Sequence, residues 1–158
     1  MPRYRKVAVG GTFSFFHAGH RHLIRRALEL GEEAVIGVVS DEYAARRRKK
    51  HPVEPFEVRA LRVLRYSLRK ARPGQRVTLV PLDDVAGPAG YDPEVDALVA
   101  TEETFVNALA VNGERAQRGL APLAIEVVEP VLGPGGEPLS STRLWHELAS
   151  EGCAERDP

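Results

Sequence analysis

Apolar residues in this chain fall into short continuous runs, and amphipathic stretches of helical period lie between them. Lys6-Val7-Ala8-Val9 reads as a short buried strand ending at Gly10-Gly11. From His17 to Leu30 the period becomes helical. Leu23, Ala27 and Leu30 share one face, Arg21, Arg25 and Arg26 lie mostly on another, and Gly31 stops the run. Ala34-Val35-Ile36-Gly37-Val38-Val39 is a second run, ended by Ser40-Asp41-Glu42. Its almost unbroken apolar character suits a parallel strand covered on both faces. A long helix is expected from about Pro55 to Arg72, with Val58, Leu61, Leu64 and Leu68 inward and Pro73-Gly74 as the stop. Val77-Thr78-Leu79-Val80, Ala97-Leu98-Val99-Ala100 and Leu123-Ala124-Ile125-Glu126-Val127-Val128 read as strands three to five. A helix from roughly Glu103 to Arg118 separates the last two, and Ser140-Ser141-Thr142 opens a final one.

Strand and helix therefore alternate five times. That predicts an α/β fold: a single-domain, doubly wound, five-stranded parallel sheet of Rossmann-like form. At 158 residues one domain is expected, over 1–150, with a short C-terminal tail at 151–158. Ligands of such sheets bind beyond the carboxyl ends of the strands, where strand order reverses. The loops after strands one to four are the places to look.

Charge sharpens this picture. The 22 basic and 22 acidic residues cancel, but not locally. Residues 43–76 hold twelve basic and two acidic groups, whereas residues 77–158 hold four basic and fifteen acidic. A local anion site in the middle block fits this better than a globally basic nucleic-acid binder, and the acidic second half argues against DNA or RNA as partner. No apolar run approaches a membrane span. The basic start, Met1 to Lys6, lacks the apolar core of a secretion signal, so a cytoplasmic location is expected. A lone cysteine, Cys153, can form neither an intrachain disulfide nor a thiolate metal cluster.

The densest chemistry lies in Gly10-Gly11-Thr12-Phe13-Ser14-Phe15-Phe16-His17-Ala18-Gly19-His20. The glycines permit a tight turn and close approach of a ligand. His17 and His20 are three apart, on one face of a helix start whose unpaired N–H groups favour an anion. Taken alone, an H-x-x-H pair is most often incidental. Placed after Gly-Gly on a strand-to-helix turn, it suits a phosphate site. Zinc is disfavoured because no third ligand is spaced nearby.

Gly-Gly-Thr-Phe followed by His-Ala-Gly-His resembles the first signature, G-T-F-D-x-x-H-x-G-H, of the nucleotidyltransferase superfamily. Ser140-Ser141-Thr142-Arg143 resembles its second, I-S-S-T-x-x-R, roughly 120 residues later. Between them Ser40-Asp41-Glu42, the basic run Arg46 to Lys50, Glu54-Pro55-Phe56-Glu57 with Arg59, and Thr101-Glu102-Glu103-Thr104 resemble the archaeal type of phosphopantetheine adenylyltransferase. Asn112 with Arg115, and Gly119-Leu120-Ala121-Pro122-Leu123, do so as well. Two positions depart from the pattern: Ser14 replaces an aspartate, and Trp145 stands where a basic residue is usual.

The resemblance implies a nucleotidyltransferase fold and transfer of an adenylyl group from ATP to 4′-phosphopantetheine, giving dephospho-coenzyme A and pyrophosphate. Magnesium would be carried with ATP, with no dedicated protein metal site. His20, His17, Lys50 and Arg143 would be catalytic. Gly11, Thr12, Phe13, His20, Thr101, Glu102, Ser140, Ser141 and Thr142 would hold ATP, the serines also capping a helix. Thr12, Lys49, Lys50, Arg59, Asp83 and Asp84 would hold the acceptor, with Lys50 slightly ahead of Lys49 by its spacing to Arg59. Arg59 either takes the incoming phosphate or only covers its helix; Asn112 and Arg115 are weaker candidates. Other acceptors (nicotinamide mononucleotide, FMN or glycerol-3-phosphate) remain alternatives. So does a nucleotide-binding sensor that has lost turnover, encouraged by Ser14 and Trp145. Oligomeric state, monomer or small homo-oligomer, is left open.

Overall fold

A computed structural model describes residues 2–47 and 52–136. Lys49, Lys50, Ser140, Ser141, Thr142, Arg143 and Trp145 lie outside the described residues. The strands are β1 (Tyr4–Gly11), β2 (Gly31–Val39), β3 (Arg76–Leu82), β4 (Ala97–Thr101) and β5 (Ala124–Val128). The helices are α1 (Ala18–Leu30), α2 (Asp41–Arg46), α3 (Phe56–Lys70) and α4 (Phe105–Gln117), with a short 3-10 turn at Gly87–Gly90.

All five strands pair in parallel, in the order β3-β2-β1-β4-β5. The chain winds outward from β1 to β3, then returns to β4 on the other side of β1. The β1/β4 boundary is therefore the switch point, where a crevice opens above the strand ends. Pro81, which cannot donate to a ladder, sits in β3, an edge strand among the described residues.

Alternation along β1 divides the interior. Val7 and Val9 point into the core beneath α1 and α3, with Ile24, Ala27, Leu28, Val63 and Tyr66. Ala8 points the other way, among Ala86, Ala89, Val95, Val111 and Leu123. Each face of the sheet is thus sealed by its own cluster, as the near-continuous apolar strands predict.

Two expectations need correction. Ser40-Asp41-Glu42 does not merely end β2; it starts α2. The Ser40 hydroxyl accepts the Tyr43 N–H at 3.1 Å, acids fill the first turn, and Arg46 closes the last. With only Ala44 buried, the helix has no apolar stripe to betray it. The inward face of α3 is also different. Arg59, Val63, Tyr66 and Ser67 are buried, while Val58, Leu61 and Leu68 are 36%, 54% and 62% exposed. Hydropathy misleads here because both polar residues satisfy themselves inside. The Ser67 hydroxyl donates to the Val63 carbonyl at 2.7 Å, and Arg59 finds four acceptors.

Candidate active site

Above the switch point lies a cleft of about 940 Å³. It is walled by the ends of all five strands. Gly11 ends β1, the turn after it supplies Thr12, Phe13 and His17, and α1 supplies His20; α2 supplies Tyr43, and Arg47 caps its end. Leu82 ends β3 and Asp84 and Val85 follow it, Thr101 ends β4 and Glu102, Glu103 and Thr104 follow it, and Glu129 to Val131 follow β5.

The β1 turn is held in an unusual shape. Phe13 and Phe15 both have positive φ, 56° and 58°. Such a conformation costs a non-glycine residue of order 1–3 kcal/mol and persists only where its surroundings impose it. Phe13, 1% exposed, is anchored in the core and meets the His20 ring edge-on at 5.3 Å. The Phe15 N–H donates to Glu54 Oε1 at 2.8 Å. Ser14 between them is fully buried.

The two histidines then start α1 in place of the usual serine and glutamate. The Gly19 N–H donates to His17 Nδ1 at 3.0 Å, and the His17 N–H donates to His20 Nδ1 at 3.2 Å. This is a capping box made of imidazoles. Because each Nδ1 accepts, the proton of a neutral ring in this arrangement sits on Nε2. Burial, with the nearby Arg21 charge, pushes the His17 pKa down to about 4, so that ring is a neutral N–H donor at physiological pH. Gly19 has no room for a side chain: a Cβ there would lie 2.9 Å from His17 Cε1 and 3.0 Å from Nδ1. The glycine admits the folded-back His17 ring, a tighter demand than keeping the surface open.

On the facing wall Thr101 and Thr104 lock each other. The Thr101 N–H donates to the Thr104 hydroxyl at 2.9 Å, and the two hydroxyls are 3.1 Å apart. This fixes Glu102 and Glu103 at the rim of the cleft. Asp84 Oδ1 accepts the Ala86 and Gly87 N–H groups, at 3.2 and 2.6 Å, shaping the loop after β3.

Of the expected site residues, Gly11, Thr12, Phe13, His17, His20, Asp84, Thr101 and Glu102 thus meet in one cleft. Phe13 is chiefly a core residue that buttresses His20. Asp83 is exposed outside the lining, and its carbonyl accepts from Arg46 at 2.9 Å. Arg59 cannot take a phosphate: it is fully buried and spends its donors on Glu54, Thr12, Val39 and Asp41. Arg115 is likewise structural. It is 2% exposed and donates to the carbonyls of Ala121, Ala89, Asp92 and Val95. Asn112 exchanges two hydrogen bonds with the Leu123 backbone.

Sequence reasoning missed Tyr43, Arg47, His22, Asn107 and Glu129, all of which line the cleft. The Ser40 cap was the available signal for Tyr43 and Arg47, since it starts a helix directly after β2 that carries Tyr43 and ends at the Arg47 cap. Arg46 and Arg47 flank the Tyr43 ring at 5.6 and 5.5 Å, so this wall presents a guanidinium held by an aromatic face. Nothing in the local pattern marked His22 or Glu129.

Residues 8–147 match the family described as cytidylyltransferase-like. A phosphopantetheine adenylyltransferase of Methanopyrus kandleri is 43% identical over 155 residues, covering 98% of both chains. One from Pyrobaculum aerophilum is 40% identical, covering 92% of this chain and 93% of its own. Among solved structures, an Archaeoglobus fulgidus protein described as of unknown function superposes with a TM-score of 0.69 at 34% identity. It covers 85% of this chain and 99% of its own. With identity of this level running the length of both partners, the chain belongs to the phosphopantetheine adenylyltransferase family, within the broader cytidylyltransferase-like group.

Proposed function

We propose that this protein transfers the adenylyl group of ATP to 4′-phosphopantetheine, producing dephospho-coenzyme A and pyrophosphate. The observation that carries this is the meeting of Thr12, His17 and His20 with Thr101 and Glu102 over one cleft at the sheet's switch point, in a chain of this family.

The chemistry asks for positioning and charge stabilisation. An oxygen of the acceptor's phosphate attacks the α-phosphorus of ATP, the bond to the bridging oxygen breaks in line, and pyrophosphate departs. No covalent enzyme intermediate forms. The protein's task is to hold two anions in line and donate hydrogen bonds to oxygens that gain charge. Thr12 and the Nε2–H groups of His17 and His20 serve the phosphates, with His20 at the α-phosphate. Thr101 and Glu102 bound the adenosine end, and Asp84 the pantetheine end. Lys49 or Lys50 would bridge the two substrates as a cation, while Ser140, Ser141, Thr142 and Arg143 would hold the β- and γ-phosphates. Magnesium would be carried with ATP and would neutralise phosphate charge, and the carboxylates in the cleft lining are Asp84, Glu102, Glu103 and Glu129. A cytoplasmic setting, where ATP and a phosphorylated acceptor are both present, goes with this reading.

The test mixes purified protein with ATP, magnesium and phosphopantetheine and follows dephospho-coenzyme A by mass. Formation of that product, and none with nicotinamide mononucleotide, FMN or glycerol-3-phosphate, supports the assignment. Turnover on one of those acceptors alone overturns it, and so does ATP binding with no turnover on any.

A further inference from the structure

Beneath the β1 turn, and outside the cleft lining, two side chains grip it from both ends. Arg59, fully buried, donates through Nη1 to the Thr12 carbonyl at 2.9 Å and to the Val39 carbonyl at 2.7 Å. Its Nε donates to the Glu54 carbonyl at 2.7 Å, and its Nη2 to Asp41 Oδ1 at 2.8 Å. The side chain of Glu54, 14% exposed, accepts the Phe15 N–H at Oε1 and the Arg62 guanidinium at Oε2. Thr12 and Phe15 are thereby tied to the start of α3. The span between them holds both left-handed phenylalanines.

We infer that Glu54 and Arg59 are positioning residues for the adenylyl transfer. They hold the Thr12–Phe15 turn in its strained shape and register it against α2 through Val39 and Asp41. The turn leads straight into the histidine capping box, so its shape decides where Thr12, His17 and His20 stand relative to a phosphate. A left-handed pair of phenylalanines tends to relax to ordinary φ once released, because Cβ crowds the following carbonyl. Releasing the turn would displace donors whose value depends on alignment, and a shift near 1 Å can cost about 10²-fold in rate. Arg59 also couples two walls of the cleft, since Thr12 follows β1 while Asp41 opens the helix that carries Tyr43 and leads to Arg47. Its charge is matched by one carboxylate and three of its other donors by carbonyls, which is how a guanidinium survives full burial.

The kinetic part of this inference rests on the proposed reaction; the structural part does not. The test therefore has two readouts. Glu54→Ala removes the acceptor for the Phe15 N–H, whereas Glu54→Gln keeps an oxygen there. In ligand-free protein, Glu54→Ala should speed Phe15 amide exchange by about tenfold or more. Per folded molecule it should lower kcat about 10- to 100-fold, with KM for ATP moving less than about threefold. Glu54→Gln should stay within about threefold of the parent in both readouts. Arg59→Lys is the companion variant; if it folds, it should lose kcat in the same pattern. A Glu54 that only stabilises the fold would lower the melting temperature and leave kcat per folded molecule unchanged, and that result overturns the inference. Unchanged Phe15 exchange in Glu54→Ala overturns it as well. Should the parent protein turn over no phosphopantetheine, the reaction assignment fails by itself, and the exchange readout still decides for or against the brace.

Discussion

The His17 N–H donates to His20 Nδ1 at 3.2 Å while the two imidazoles stack with centroids 3.7 Å apart. One contact closes the start of α1 and the other aligns two rings along a cleft wall. Capping uses Nδ1 of each ring and the proposed phosphate contacts use Nε2–H, so variants must be read for both.

His20→Ala should reduce turnover by ~10²–10³, the usual cost of losing one preorganised donor to a charged transition state. It should also lose about 0.5–1.5 kcal/mol of stability, since the acceptor for the His17 N–H goes with it. Steady-state kinetics and a denaturant melt separate the two effects. A kcat within about threefold of the parent would remove His20 from the reacting phosphate.

The low His17 pKa predicts a stability slope with pH. In the unfolded chain this imidazole titrates near 6.5, whereas in the fold it resists protonation until about 4. Between those values the unfolded state takes up a proton that the folded state refuses, so acid favours unfolding there. The stability is complete above about 6.5 and is lost as pH falls toward about 4. Urea midpoints across this range should drop more steeply for the parent than for His17→Asn. A ring proton signal of His17 titrating near 6.5 in the folded protein would contradict the burial argument.

Leu82 packs over the floor of the cleft where β1 and β2 carry paired glycines. Gly10 pairs with Gly37, and a Cβ on Gly37 would lie 2.6 to 2.7 Å from the Leu82 side chain. Gly37→Ala should therefore destabilise the fold by about 1–3 kcal/mol through overpacking. Adding Leu82→Ala should recover part of that loss, because the clash needs both partners. A double-mutant cycle measured by chemical denaturation would show this as a coupling above about 0.5 kcal/mol. Additive losses would mean that the glycine matters for another reason.

Arg115 should behave as a structural cation. Arg115→Met removes the guanidinium that serves the Ala121 and Ala89 carbonyls, while the Asp92 carbonyl keeps the Val95 N–H. The expected loss is about 2–5 kcal/mol by denaturant melting. In the folded fraction KM for ATP and for the acceptor should hold. A raised KM with unchanged stability would return Arg115 to the substrate site.

The alternation of short apolar runs with amphipathic stretches was enough to specify five strands in a doubly wound sheet, because strand and helix periods differ and each run is bounded by glycine, proline or polar residues. The Gly-Gly turn leading into His17 and His20 was legible for the same local reason: a strand end followed by a helix start is written in consecutive residues. Tertiary structure alone decided which side of α3 faces inward. Helical periodicity offered the stripe of Val58, Leu61 and Leu68, but long-range carbonyl and carboxylate partners for Arg59 made the opposite side the core. The same holds for Arg115 and for Glu54, whose distant partners lie 20 to 26 and 39 residues away in the chain. A residue's own chemistry says that it needs hydrogen-bond partners; only the folded backbone says where they are, and so whether a buried charge serves the substrate or the scaffold.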